Sequence, residues 1–293
     1  MSRCAGAGFR LSSPTFPGIL GVFRERTPFT RRGQFEHHRE TIRLRRSAVS
    51  VGELLANDAF VDSLRSTLRA WSIGVRASHL LGRPLFDVEL QRWEVELESL
   101  TDERIVEATD DTRRRVWALI QSIDITENQA RLVALTKTLH HILPDLVVPI
   151  DRAYTGAFLG WRAPEFQTSQ RAIFDSCWEA FVEIARQAHP EEWVGEGWFT
   201  STTKVIDNAI VGFCIAEGLV GRDEIDQPEG RPATNARRAA WMVEDLESDL
   251  EEFGEVLRAA GLRDNTINTY VGRAETFIRW LAGDYEPRGP NSS

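Results

Sequence analysis

An all-α fold is the expectation for this chain, and three observations carry it. From Val51 onward apolar residues recur at intervals of three and four; no glycine occurs between Gly82 and Gly156; and β-branched alternation over a strand length is missing. Asn57-Asp58 is a start signal for a helix over Ala59 to Ile73, with Phe60, Leu64, Leu68 and Trp71 on one side. Asp87 opens another, in which Leu90, Trp93, Leu97 and Leu100 recur. Short helices are expected over Asp102 to Ala108 and Thr112 to Ile123, the latter turning Val116, Ile120 and Ile123 inward. A longer one runs from Thr126 to Leu143 and is stopped by Pro144. Asp151 to Leu159, Ser169 to Ala188 and Thr202 to Leu219 complete a helical domain over 51–220.

Residues 1–50 have a different character. They hold ten arginines against three acids, leaving 25 basic and 41 acidic residues for the rest of the chain. With Pro14, Pro17, Pro28 and several glycines they show no sustained period, so the segment reads as disordered. It is either sequence upstream of the true start, a basic arm for nucleic acid, or a segment like a transit peptide. At the other end, Gly221 to Asn235 has the proline, glycine and charge content of a linker. Beyond it, a helix over Ala236 to Ala260 ends at Gly261, and Asp264 or Asn265 caps a second over Thr266 to Ala282; residues 286–293 form a tail.

A charged content of 27% against 42% hydrophobic residues fits a globular protein. No apolar run approaches the roughly 20 residues that span a bilayer, and no leader pattern is present, so a cytoplasmic protein without a membrane partner is expected. Cys4, Cys177 and Cys214 are odd in number and far apart, which argues against disulfides or a zinc-thiolate site. No cofactor is expected, and the oligomeric state is not legible.

The chain has 35 basic residues, of which only Lys137 and Lys204 are lysine. Either a coding bias left two lysines by chance, or these positions need a compact amine that arginine cannot replace. Lys137 has His140 and His141 at i+3 and i+4; Lys204 has Asp207 and Asn208 at the same offsets, so each lysine shares a helix face with polar groups. Adjacent histidines do not present both rings to one ion as an i, i+4 pair would, so no metal site is expected. After Lys137, the proline-bracketed loop Leu143 to Arg152 delivers Asp151 to a helix start, where it either caps the helix or serves as a base or charge stabiliser. His140, His141, Arg152, Lys204, Asp207 and Asn208 are candidates for a surrounding pocket. The aromatic set Trp161, Phe166, Phe174, Trp178, Phe181, Trp193, Trp198 and Phe199 is dense enough either to line it, where a base could stack, or to form core.

The stretch Leu250, Phe253, Leu257, Gly261-Leu262, Thr266, Tyr270, Phe277 and Trp280-Leu281 resembles the SAM-like core-binding domain of tyrosine recombinases and phage integrases. The resemblance implies a helical hairpin that binds DNA. Arg263, Asn265, Thr266, Asn268, Thr269, Arg273 and Arg279 would then meet phosphates through charge and helix-terminal N–H groups. The chain ends soon after this unit, so recombinase catalysis is not expected. The central region bears a fainter similarity to helix-hairpin-helix DNA glycosylases, in which a helix bearing a catalytic lysine precedes a loop ending in Val-Asp. On that similarity Lys137 would form a Schiff base with the sugar and Asp151 would assist departure of the base. The sequence therefore points to a DNA-binding protein of a DNA-maintenance, mobile-element or defence setting. The alternatives are a glycosylase or lyase using Lys137 and Asp151, and a helical scaffold whose acidic stretch at 242–256 meets a basic partner.

Overall fold

The computed structural model describes residues 15–31, 33–73, 79–127 and 131–220, with isolated positions between 250 and 275. The chain divides into two units, Met1–Gln227 and Pro228–Ser293. The described part of the first unit is all helical, with one isolated bridge between Leu80 and Thr126 and no strand among the described residues.

Helix α1 spans Phe16–Arg26; the Thr15 hydroxyl accepts from Gly18 N, and Pro17 sits in the first turn, where its missing N–H costs nothing. Helix α2 spans Gln34–Ser47. Helix α3, Val51–Ala56, is capped by Ser50, and α4, Asp58–Ala70, by the Asn57 carboxamide. The helix expected from Asp87 is two pieces, α5 (Arg83–Arg92) and α6 (Glu94–Glu98), turned at Trp93. After a 3-10 turn at Ile105–Glu107 comes α7 (Asp110–Ser122), capped by Thr109. The remaining helices are α8 (Arg131–Ile142), α9 (Tyr154–Leu159), α10 (Glu165–Thr168), α11 (Gln170–Ala188) and α12 (Thr202–Ala216).

Residues 15–50 are corrected from disorder to structure: two helices seated on the core. Phe16, Ile19, Leu20 and Phe23 of α1 lie at helical intervals and are all buried, packed mainly against α12. The close approach depends on Gly212, because a Cβ there would collide with the Ile19 carbonyl oxygen. Helix α2 packs on α4 and α8, burying His38, Thr41, Ile42 and Leu44. Its inward face is half polar, which is why the arginine-rich sequence around it shows no period. Residues 1–14 lie outside the described residues. So do the expected linker and nearly all of the C-terminal unit, including Arg263, Asn265, Thr266, Asn268, Thr269, Arg273 and Arg279.

Helices α8 and α12 are the centre of the domain. Every residue of α8 from Leu132 to Ile142 is buried, and so is α12 from Thr202 to Gly212. A helix enclosed on all sides is normally apolar all round. These two instead carry Lys137, His140 and His141, and Lys204, Asp207 and Asn208, into the interior. Such groups persist only if they find partners, and the partners define the site.

Candidate functional site

Lysine 204 is 1% exposed and forms a short ion pair with Asp207, one turn on in α12. Its ammonium is enclosed by three aromatic rings, with Nζ 5.1 Å from the centre of Phe29, 5.3 Å from Trp71 and 5.0 Å from Trp198. Trp71 is the C-cap residue of α4, and Trp198 lies in the loop before α12, held there by Asn208, whose Nδ2 donates to the Trp198 carbonyl at 3.0 Å. Lysine 137 reaches the same indole. Its Nζ donates to the Trp71 carbonyl at 3.2 Å and lies 3.5 Å from Asp151 Oδ2 and 5.9 Å from the Trp71 ring.

Asp151 holds the start of α9 and also pairs with Lys137. Its Oδ1 accepts from the backbone N–H groups of Ala153 and Tyr154 at 2.9 and 3.2 Å, an Asx turn that leads into α9, while Oδ2 faces Lys137. The loop is tied to α8 by Ile150 N donating to Thr136 Oγ1 at 3.2 Å. With its side chain 27% exposed against 8% for Lys137, Asp151 is where the pair meets solvent. The two pairs also feel each other. Burial pushes the Asp207 carboxyl above its usual range, Lys204 pulls it back, and Asp151 raises it and Lys137 lowers it from across the cluster.

Three histidines form the adjoining wall. His141 Nδ1–H donates to the Lys137 carbonyl at 2.7 Å, which leaves its Nε2 as an acceptor. His38 of α2 places Nδ1 3.0 Å from that Nε2, so His38 donates through Nδ1 and accepts at Nε2 from the Thr200 hydroxyl at 2.7 Å. His140 directs Nδ1–H at the Val147 carbonyl, 3.1 Å, and at Thr203 Oγ1, 2.9 Å, whose own proton goes to the Pro144 carbonyl. His140 Nε2 is thus a buried lone pair with no hydrogen-bond partner among the described residues. Burial is the main reason that all three rings stay neutral, and Lys204 adds to it. His141 is held down at about 4, and His38 and His140 lie well below the ordinary histidine value. One nitrogen of each ring lies within 4.8 Å of one from both others.

The expectation that adjacent histidines cannot converge is therefore corrected. His38, from the segment expected to be disordered, closes the gap between His140 and His141, which stand at a ring-centre distance of 5.0 Å and nearly perpendicular. Of the sequence candidates, Lys137, His140, His141, Asp151, Lys204, Asp207 and Asn208 meet here. Arg152, beside Asp151, is half-buried, with its Nε unpaired among the described residues. Trp198 is the one member of the aromatic set that contacts the lysines and histidines; Phe166, Phe174, Trp178, Phe181 and Phe199 are core, and Trp161 and Trp193 flank it. Sequence reading missed His38, Phe29, Thr200 and the cage role of Trp71. Burial pushes the Cys214 thiol up to about 12 and that of Cys177 higher still, so neither is a thiolate nucleophile at neutral pH.

Among the described residues no helix is long and apolar enough to cross a membrane. No family model, curated protein or solved structure matches the chain.

Proposed function

We propose that the chain acts on DNA as a glycosylase or lyase, with Lys137 as the amine nucleophile and Asp151 as its carboxylate partner. The reading rests on one observation above all: the only two lysines of the sequence, with their two aspartates, meet around a single indole, Trp71, and the pair that touches solvent is Lys137–Asp151. Asp151 is fixed by its Asx turn with Oδ2 3.5 Å from Lys137 Nζ, which supports a role as the base that takes the lysine's proton. The free amine would attack C1′ of the open sugar at an abasic site. A C=N bond forms there as the proton held by Asp151 passes to the sugar oxygen, which leaves as water, and the positive imine then lies beside the restored carboxylate.

Nucleic acid as substrate is also favoured by charge. Arg39 and Arg43 of α2, the helix that carries His38, are exposed, as are Arg24 and Arg26 of α1. Arg24 stacks on Phe199, and Arg46 donates to the Thr200 carbonyl, next to Trp198. The integrase-like C-terminal unit would supply further phosphate contacts through Arg263, Arg273 and Arg279, with affinity falling as salt rises.

Borohydride reduction on abasic or base-damaged duplex tests the reading. A covalent protein–DNA adduct is expected from the full chain and none from Lys137→Arg or Lys137→Met, with Lys204→Arg as the comparison and circular dichroism as the check on folding. An adduct that persists in Lys137→Arg but vanishes in Lys204→Arg moves the nucleophile to Lys204. Salt-sensitive duplex binding with no adduct on any substrate leaves a DNA-binding protein without this chemistry. Absence of both leaves the scaffold.

A further inference from the structure

We propose that His38, His140 and His141 form a binding site for one late first-row divalent metal ion of the zinc class. The case rests on donor chemistry and spacing. Ligating imidazoles characteristically donate their second ring N–H to a backbone carbonyl, which fixes the tautomer and aims the lone pair. His141 does so to Lys137 O, and His140 to Val147 O. The other nitrogen of each is Nε2: in His141 it accepts from His38 Nδ1 at 3.0 Å, and in His140 it is fully buried with no hydrogen-bond partner among the described residues. An orphaned buried acceptor is a standing cost unless something satisfies it.

His38 completes the set from α2. Its Nε2 faces Thr200 Oγ1, which accepts as readily as it donates, so a change of tautomer turns Nδ1 from donor to ligand without losing the Thr200 bond. Metal–nitrogen bonds of about 2.0–2.1 Å at tetrahedral angles put ligand nitrogens about 3.4 Å apart and ring centres about 5 Å apart. His38 Nδ1 and His141 Nε2 are 3.0 Å apart, and the ring-centre distances are 5.0, 5.1 and 5.7 Å. One nitrogen of each ring lies within 4.8 Å of one from both others, so the three rings form a set that a single ion could draw together.

Charge opposes this at one point only. Lys204, whose field reaches all three rings, is matched by Asp207, and Lys137 by Asp151, so of the charges near the rings only Arg46, which acts on His38, adds a positive charge unmatched among the described residues. Three neutral nitrogen donors without thiolate suit zinc, cobalt, nickel or copper rather than magnesium or calcium. A three-histidine set leaves a fourth position for water.

The test is direct metal binding by the untagged full chain after removal of metal with a chelator, a readout independent of any action on DNA. Co²⁺ is titrated first, for the visible absorption of a tetrahedral nitrogen site, and Zn²⁺ then displaces it. One ion per chain is expected, with a rise in the thermal midpoint of about 5 °C or more at saturating Zn²⁺. His140→Asn keeps a side-chain N–H for the Val147 carbonyl but removes Nε2. It should fold as the parent does and bind at least about tenfold more weakly. His37→Asn, at an exposed position, should bind like the parent. No Co²⁺ absorption from the parent chain, or equal affinity in the parent and His140→Asn, overturns the proposal.

Discussion

Acidification is the perturbation to which this core should respond most. His38, His140 and His141 are neutral when folded, with His141 at about 4 and the other two well below the ordinary value. In the unfolded chain each titrates near 6.5, so below that pH the unfolded state binds protons that the folded state excludes, and stability falls as pH falls. Going from about pH 7.5 to about pH 5.5 stabilises the unfolded state by about 1.4 kcal/mol per histidine. The figure depends little on how low the folded values lie, provided that they stay well under the lower pH. Three such groups remove about 4 kcal/mol, a large part of a typical stability of about 5–15 kcal/mol. Asp207 acts with the opposite sign: its raised folded value withdraws stability as pH rises through the carboxylate range, so it does not produce a loss on acidification. Urea unfolding of the chelator-treated protein, followed by tryptophan fluorescence at the two pH values, measures the effect. A midpoint lower by about 1.5–2 M is expected at the acid end. His140→Asn should retain about two thirds of the pH dependence. A change of under about 1 kcal/mol across the window would mean that the rings are charged or solvated in the folded protein, and the hydrogen bonds assigned to neutral imidazoles would be wrong.

Two stability predictions address the packing around the site. Gly212→Ala should destabilise by about 1–3 kcal/mol, although alanine is the better helix former, because its Cβ meets the Ile19 carbonyl and pushes α1 off α12; a gain in thermal midpoint would contradict the close approach. Lys204→Met should cost about 3–5 kcal/mol by leaving Asp207 buried without its counter-ion, and adding Asp207→Asn should recover most of that loss. A double variant no more stable than Lys204→Met in denaturant titration would refute the pairing.

The helical fold was legible because Phe60, Leu64 and Leu68, or Val116 and Ile120, repeat with the period of a helix, and burial of one face is what creates that repeat. Helix α1 was legible in principle, since Phe16, Ile19, Leu20 and Phe23 have the same spacing, but proline and flanking arginines concealed it. Helix α2 was not. Its inward residues His38 and Thr41 are polar, and what makes their burial favourable lies far along the chain: His141 and Thr200 for the one, Ser63 and Thr67 for the other. No local pattern encodes such partners. The lysines stand out by composition alone, and the structure supplies a steric reason. An ammonium fits among Phe29, Trp71, Trp198 and Asp207, where a planar guanidinium with five donors would leave several unpaired.

Stability does not explain why two central helices carry these groups. Replacing a buried ion pair with apolar side chains of similar volume is often neutral or stabilising, and an orphaned imidazole nitrogen is a standing cost. Two ion pairs, three neutral histidines and their threonine partners thus occupy the best-enclosed part of the domain, where apolar side chains of similar volume would serve folding as well or better. They meet at the junction of α2, α4, α8 and α12, with Asp151 reaching solvent, and the proposed lysine chemistry and metal site would each give such a cluster a reason to persist.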